Sequence, residues 1–319
     1  MSDSSIKKDR GSWTVRRIVN GTSVLYLVLW IIQFLPDKTK GDHGGVAVYT
    51  MTLATILAVI FLAVTVFAYR EKIYITAKSI IGTILAVLLV WALLTAKFNI
   101  LTESLFPSPE VVFRQLLSDS RLPGDVMSSI KTMAKGYLTA LVLGLVLGSL
   151  AGMSKSLGSS LNYITTFIKL IPPVVYIPYA IALLPHYDTV SVFVIFMSAF
   201  WPIFSCTFAG VANVEKRYID SAKVLNVGLL SRMVHVILPA SLSEIFIGMN
   251  QGLAYSFILL TSAEMIGGNS GIGYYIKYYS NFGDFTRIMV GILVIGVTIS
   301  VITFLMNKLQ AYLLRWRPR

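Results

Sequence analysis

Eight apolar runs of about 20 residues each determine what this 319-residue chain can fold into. A helix needs about 20 apolar residues to cross the hydrocarbon core of a bilayer. Hydrophobic residues make up 55% of the chain and charged residues 13%, against about 25% charged residues in a soluble domain. We therefore expect an all-α, polytopic membrane helix bundle with about eight transmembrane helices. The runs lie at residues 15–35, 46–69, 76–96, 129–153, 161–184, 188–212, 241–262 and 286–310.

The basic residues indicate the orientation of the bundle. The net charge is +12, but the charges lie in short segments between the apolar runs, which argues against nucleic-acid binding. An even number of spans places both termini on one side, and most of the 27 lysines and arginines fall on that side. Cytoplasmic loops carry the excess of such residues, so we expect both termini in the cytoplasm. The first run is long for a signal peptide and lacks a small-residue cleavage site, so we predict a retained span.

Several kinds of chemistry are not indicated by the sequence. Cys206 is the only cysteine and the three histidines are scattered, which excludes an intrachain disulfide and gives no metal-binding motif. The dipeptide Gly-Lys does not occur, so the phosphate-binding pattern GxxxxGK[ST] is absent. We predict a chain that is not an enzyme, with no catalytic residue and no metal or cofactor of its own.

The longest gap between spans, residues 98–125, divides the chain. It contains the segment SPEVVFRQLLSD, which predicts a short amphipathic helix capped by Ser108 and lying along the outer membrane interface. Residues 1–97 then form an N-terminal part with three helices, and residues 126–319 form a five-helix part. We expect the first two spans to act as a lipid-facing buttress; a regulatory contact is the alternative.

Small residues recur at intervals of four in the fourth run and again in the seventh. Such stripes allow two helix backbones to approach closely in a membrane. We expect packing within the bundle, with a subunit interface as the alternative. The stripes are Gly136, Ala140, Gly144, Gly148 and Gly152 in the fourth run, and Gly248 and Gly252 in the seventh.

The fifth run contains four prolines, at positions 172, 173, 178 and 185, and the sixth contains Trp201-Pro202. An internal proline removes a backbone hydrogen bond and bends a helix, which is tolerated beside a water-lined cavity. We therefore expect the fifth run to bend and to line a pathway. The candidate pathway residues are Lys169, Pro172, Pro173, Tyr176, Asn250, Gln251, Tyr255 and Glu264.

Most of these residues also have an alternative, purely structural explanation. Lys169 lies two turns into the fifth run, where it either snorkels to the headgroups or lines the pathway and attracts an anion. Glu264 either packs the external loop or gates the pathway. Asn250 and Gln251 either form hydrogen bonds within the bundle or contact substrate. Tyr176 and Tyr255 either pack as aromatic side chains or line the pathway.

Residues 214–239 form an ordered, charged segment outside the bilayer. Helical periodicity predicts one helix over 214–225 and a second over 229–238, with a turn at Asn226-Val227-Gly228 because Asn and Gly most readily adopt positive φ. Pro239 is expected to end the second helix, and Ser241 with Glu244 to begin the seventh span as a capping box. The apolar face can dock on the bundle or on a partner; alternatively the segment rests on anionic lipid.

This segment resembles the EAA loop of binding-protein-dependent ABC transporter permeases. Asp220-Ser221-Ala222 corresponds to E-A-A, Asn226 to the following glycine, and Ile237-Leu238-Pro239 to the closing I-x-L-P variant. Four further blocks resemble the nitrate/sulfonate/taurine branch of that family, in order, over about residues 95–315. They are LFPSPEVVFRQL, IPPVVYIPYAIALL, FWPIFSCTFAGVANV and AEMIGGNSGIGYYI. The first two spans are additional to the usual six-helix permease of this branch.

The resemblance implies a type I importer-like permease core in the cell membrane whose loop is a coupling helix. It implies separate cytoplasmic ATPase subunits that bind Mg-ATP, an external solute-binding protein and a second permease chain, most simply a second copy. The substrate would be a small solute, nitrate/sulfonate/taurine-like or vitamin-precursor-like. The alternative is an ion-coupled secondary transporter, which would require intramembrane carboxylates and related halves. The implied coupling residues are Asp220, Ser221, Ala222, Lys223, Asn226 and Pro239, with Lys216, Arg217, Lys223 and Arg232 as contacts to an acidic ATPase surface.

Overall fold

A computed structural model describes residues 20–35, 47–67, 71–153, 164–165, 167–168 and 171–316, and these residues contain helices and loops but no β-strand. The helices before the external gap are α1 (Gly21–Gln33), α2 (Val48–Phe67) and α3 (Glu71–Ala92), the last continued by a π-helical turn at Leu93–Lys97. The external helix α4 (Pro109–Ser118) follows. The remaining helices are α5 (Leu122–Gly152), α6 (Tyr176–Leu183), α7 (Tyr187–Ala212), α8 (Lys216–Val224), α9 (Leu229–Arg232), α10 (Leu238–Gly267), α11 (Ile272–Asn281) and α12 (Phe285–Leu313).

The all-α prediction is confirmed, and the expected spans recur in order. Within the described residues, six helical segments are long and apolar enough to cross a membrane, and two shorter apolar helices, Gly21–Gln33 and Pro173–Leu183, fall in the first and fifth predicted runs. The fifth run bends as its prolines predict. Pro172 is extended (φ −59°, ψ 122°), and a 3₁₀ turn at Pro173–Val175 starts the new helix α6. A proline cannot donate the backbone hydrogen bond that would carry a helix through this point.

The chain forms two compact units, of which the first comprises residues 1–119 and 283–290. Its core is an apolar cluster of α1, α2 and α3 that includes Leu29, Phe61 and Leu85. The external helix α4 belongs to this unit: the carboxylate of Glu110 accepts hydrogen bonds from the backbone N–H groups of Tyr49 (3.1 Å) and Thr50 (2.9 Å). It thereby satisfies donors that the first turn of α2 leaves unpaired.

The second unit, residues 120–282 and 291–319, is organised around α7. Helices α5 and α10 both pack extensively on α7. The glycine stripes explain this arrangement, because a Cβ atom at Gly148 would lie 2.7 Å from the carbonyl oxygen of Phe204. A Cβ atom at Gly248 would lie 2.8 Å from that of Pro202. The expectation that the stripes pack within the bundle is confirmed.

The prediction that Pro239 ends the second cytoplasmic helix is wrong. Helix α9 runs through a π-helical turn, Met233–Ile237, directly into α10, so that the helical segment extends from Leu229 to Gly267. Pro239 lies two residues beyond that π turn, inside the continuous segment, where its missing N–H group removes one backbone hydrogen bond. The π turn shifts the hydrogen-bonding register just before the proline. The capping box is also wrong, because the Ser241 hydroxyl donates to the carbonyl oxygen of Leu238 within the helix (3.1 Å).

Candidate functional site

A cavity of about 370 Å³ lies in the second unit where the broken fifth run faces α7 and α10. The break at Pro172 sets a short helix against the middle of two long ones and leaves space between them. Four of the predicted pathway residues line this cavity: Pro173, Tyr176, Gln251 and Tyr255. Helix α7 adds four residues to the wall, Met197, Ser198, Trp201 and Pro202.

The wall of the cavity combines apolar surface with uncharged polar groups. Among the residues that the structure describes, no lining residue carries a charge at neutral pH. The polar groups are two tyrosine hydroxyls, the Gln251 amide, the Ser198 hydroxyl and the Trp201 indole. Ser198 already donates to the carbonyl oxygen of Ile195 over 2.7 Å. The cavity therefore offers hydrogen-bond donors without a fixed charge.

Trp201 is the most unusual of these residues. Its indole forms part of the cavity wall, whereas its Nε1 atom is buried and finds no hydrogen-bond acceptor in the part of the chain that the structure describes. Buried polar groups almost always have a partner, and an orphaned donor costs about 1–3 kcal/mol. Trp91 provides the contrast, because its Nε1 donates to the carbonyl oxygen of Pro107 over 3.0 Å.

Other predicted pathway residues lie elsewhere. Asn250 is on a different side of α10, where its Nδ2 donates to the Gln310 Oε1 on α12 (3.0 Å). Pro172 forms the break beside the cavity without lining it. Lys169 lies outside the described residues.

Glu264 lies at the far end of α10 in a buried network of its own. Its carboxylate accepts hydrogen bonds from the Ser129 hydroxyl (2.7 Å) and from the backbone N–H of Gly273 (2.8 Å). Ser129 in turn accepts from the N–H of Ile272, and the carboxylate of Asp125 accepts from the N–H of Gly271. These contacts attach the loop before α11 to both α5 and α10.

The segment between α7 and α10 forms a second candidate site, which we call the elbow and define as residues 216–237. The turn occurs where it was expected, because Asn226 adopts φ +52°. The N–H of Val227 donates to the carbonyl oxygen of Ala222 (3.0 Å) and the N–H of Asn226 to that of Lys223 (2.9 Å), which closes the end of α8. Gly228, by contrast, has an ordinary φ of −59°.

The tip of the elbow exposes a patch of large apolar side chains. Val224 is 82% exposed, Leu225 76% and Leu230 79%, and Leu229 beside them is also exposed. Ala222 and Ile237 are buried instead, so they form the inner side of the elbow. The apolar residues of the elbow therefore divide between its buried inner side and its exposed tip.

Part of the elbow's charge is paired locally, within the elbow or with the residue that precedes it. Lys223 Nζ lies 3.2 Å from Asp220 Oδ1, and Arg217 forms an ion pair with Glu215. All four side chains are exposed, so these pairs contribute little to stability. Ser221 is exposed beside them, and Lys216 and Arg232 lie at the start of α8 and the end of α9.

The sequence reasoning missed the contribution of α7 to the cavity. Met197 and Ser198 carry no signal that separates them from other residues of an apolar helix. Trp201 had one, since it precedes the internal proline of the sixth run. That proline was interpreted only as a sign of a bend, and the residues next to it were not considered as cavity-lining residues.

Comparison with known proteins identifies relatives of the chain. Residues 140–317, more than half of the chain, match the family described as "binding-protein-dependent transport system inner membrane component". A nitrate import permease protein of Synechocystis is 28% identical over 77% of this chain and 90% of its own length. A Bacillus subtilis protein provisionally described as an aliphatic sulfonates transport permease is 28% identical over 69% and 80%. A bicarbonate transport system permease protein of Synechococcus elongatus is 29% identical over 62% and 70%.

The chain therefore belongs to the family of binding-protein-dependent transport system inner membrane components. It is a multi-pass inner-membrane protein and a transport subunit of the ABC permease type.

Proposed function

We propose that this chain is the membrane-spanning subunit of an ATP-driven importer that passes a small oxyanion through the cavity between α6, α7 and α10. An external binding protein delivers the oxyanion, two permease chains pair in the membrane, and separate ATPase subunits bind Mg-ATP. The elbow is the observation that carries this proposal. It combines a left-handed turn at Asn226 with an exposed apolar tip. Its second helix belongs to the continuous helical segment that also lines the cavity.

The elbow has the mechanical properties that coupling requires. Its second helix continues without a break into α10, which contributes Gln251 and Tyr255 to the cavity. A displacement of the tip is therefore transmitted along a helix to the cavity wall. Exposed apolar side chains in water are unfavourable and suit a groove on a partner. We assign the docking of the ATPase to the tip patch of Val224, Leu225, Leu229 and Leu230, with the exposed basic residues at its rim.

The substrate class follows from the relatives and the cavity together. Nitrate, bicarbonate and aliphatic sulfonates, which the relatives' descriptions name, are all small anions whose negative charge lies on oxygen atoms. A wall of neutral donors can replace part of the hydration shell of such an anion without holding it as tightly as a fixed cation would. Passage requires binding strong enough for entry and weak enough for release.

Reconstitution tests the proposal. The chain is placed in proteoliposomes with its ATPase and supplied with binding protein and labelled nitrate, methanesulfonate or bicarbonate. We expect uptake of at least one anion that requires ATP and all three components. Uptake that continues without the ATPase, driven by an ion gradient, would instead establish a secondary transporter.

The elbow must face the cytoplasm for this function. Cysteine at Asn226 in a Cys206→Ala background reports its side, because Cys206 is the only native cysteine. A membrane-impermeant maleimide should label the variant in inside-out vesicles but not in intact cells. Labelling in intact cells would place the elbow outside and contradict the proposal.

A further inference from the structure

The Trp201 indole forms part of the cavity wall, and its N–H group has no acceptor in the part of the chain that the structure describes. The ring is held by its neighbours, since Phe200 and Phe204 contact it edge-to-face at centroid distances of 5.0 Å and 6.2 Å. Pro202 follows immediately in α7 and is itself buried. The orphaned donor thus sits on a well-packed ring at mid-helix.

Burial of an unpaired indole N–H is unfavourable, so a state that pairs it has an energetic advantage. An anion in the cavity supplies the missing acceptor, and hydrogen bonds to charged groups are stronger than those to neutral ones. The nitrogen is covered in this conformation, so pairing requires the ring to rotate until Nε1 reaches the cavity. The aromatic neighbours form no hydrogen bond with the ring nitrogen, so none has to break when the ring rotates.

We propose that the indole N–H of Trp201 donates a hydrogen bond to the transported oxyanion and that Trp201 is a specificity-determining residue of the cavity. The inference rests on the proposed function. The nearby amide of Gln251 and hydroxyls of Tyr176 and Tyr255 complete a set of uncharged donors around the same space. Each of these groups can donate a hydrogen bond to an oxygen atom of an anion, and the indole N–H can only donate.

The chain offers a matched control in Trp91, whose Nε1 donates to the carbonyl oxygen of Pro107. Trp91→Phe removes a satisfied hydrogen bond and should lower the unfolding temperature. Trp201→Phe loses the same ring volume as Trp91→Phe but removes an unsatisfied donor, so it should lower the unfolding temperature by less than Trp91→Phe does. A stability loss at Trp201→Phe as large as that at Trp91→Phe would show that its N–H is already paired and would overturn the inference.

The direct test is spectroscopic. The chain is labelled with ¹⁵N at the indole nitrogens, purified into nanodiscs, and the Trp201 signal is assigned by its loss in Trp201→Phe. Nitrate, methanesulfonate and bicarbonate are then titrated in turn, with sodium gluconate as the ionic-strength control. We expect the Trp201 N–H proton signal to move downfield with at least one of the three anions while the Trp91 signal stays in place. No movement at Trp201, or equal movement at both residues, would overturn the inference.

Uptake separates this inference from the proposed function. Trp201→Phe should reduce ATP-dependent anion uptake in the reconstituted system about tenfold or more, because a hydrogen bond to a charged group is lost. ATP-dependent uptake that is the same in wild type and Trp201→Phe would refute the role of Trp201 and leave the importer standing. A shifted Trp201 signal without any ATP-dependent uptake would support the anion site and refute the importer.

Discussion

The hydroxyl of Ser129 on α5 donates a 2.7 Å hydrogen bond to the carboxylate of Glu264 on α10 and accepts one of 2.8 Å from the backbone N–H of Ile272. One side chain thus connects two long helices and the start of α11. All three residues are buried. The external loop between α10 and α11 is therefore part of the packed structure of the second unit.

Replacing Glu264 with Ala should destabilise the chain. The change leaves the Ser129 hydroxyl and the Gly273 N–H without their acceptor, at about 1–3 kcal/mol for each buried group. The measurement is the thermal unfolding temperature of the chain purified in detergent. The control is Glu244→Ala on the same helix, since Glu244 is exposed. Equal effects of the two substitutions would mean that the network contributes nothing to stability.

Gly271 is predicted to tolerate no side chain. It adopts φ +105°, and a Cβ atom at this position would overlap the carboxylate of Glu264. Gly271→Ala should therefore lower the unfolding temperature through both backbone strain and the clash. Combining it with Glu264→Ala removes the clash but not the strain, so the double variant should be more stable than the sum of the single effects predicts. Strict additivity would contradict the contact.

The close packing of α5 on α7 predicts a severe effect of Gly148→Leu. A Cβ atom at Gly148 would lie 2.7 Å from the Phe204 carbonyl oxygen and 2.9 Å from the Thr207 Cβ, so the helices must separate. We expect at least about 1–3 kcal/mol of destabilisation, measured by unfolding in detergent. Gly296→Leu is the matched control, because nothing lies within 4 Å of a Cβ atom there. A comparable loss in the control would attribute the effect to the leucine itself rather than to the contact.

The exposed tip of the elbow predicts that apolar side chains contribute more to binding of the ATPase than charged side chains do. Leu230 is 79% exposed, so Leu230→Asp should leave the stability of the isolated chain within about 0.5 kcal/mol and abolish co-purification of the ATPase. Leu117→Asp, at a 74% exposed leucine of the external helix α4, should leave co-purification intact. Lys223→Glu, whose side chain pairs with Asp220, should weaken it less than Leu230→Asp does. Normal retention of the ATPase by Leu230→Asp would place the docking surface elsewhere.

The left-handed backbone at Asn226 predicts opposite effects of two substitutions. Glycine adopts φ +52° without penalty, whereas a β-branched residue is strained there by about 1–3 kcal/mol. Asn226→Gly should therefore preserve ATP-coupled uptake, and Asn226→Val should reduce it several-fold by disordering the elbow. Both variants are compared in the same proteoliposomes. Equal activity of the two would show that the turn geometry is not needed for coupling.

Much of the fold was predictable because it depends on local sequence. Spans follow from the length of the apolar runs, the bend of the fifth run from its prolines, and the turn of the elbow from Asn226. The failure at Pro239 has a physical cause: a π-helical turn changes the hydrogen-bonding register before the proline, and no rule based on the proline alone detects such a turn. The predicted capping role of Ser241 and Glu244 was wrong for the same reason, since both residues lie inside a continuous helix.

The candidate sites were only partly predictable. Gln251 and Tyr255 line the cavity, whereas Asn250, adjacent in sequence, pairs with Gln310 on α12. Neighbours on a helix point in directions about 100° apart, and the sequence does not state which direction faces which helix. Trp201 was overlooked for the same reason.

By itself, the sequence determined that this chain is a helical membrane protein with two short helices joined by a turn at Asn226. Run length, proline positions and the preference of asparagine for positive φ act within a few residues. Only the tertiary structure decided that α7 lies between α5 and α10, that Ser129 meets Glu264, and that the Trp201 N–H is buried beside a cavity without a partner. Those relationships join residues dozens of positions apart, and they depend on how whole helices pack.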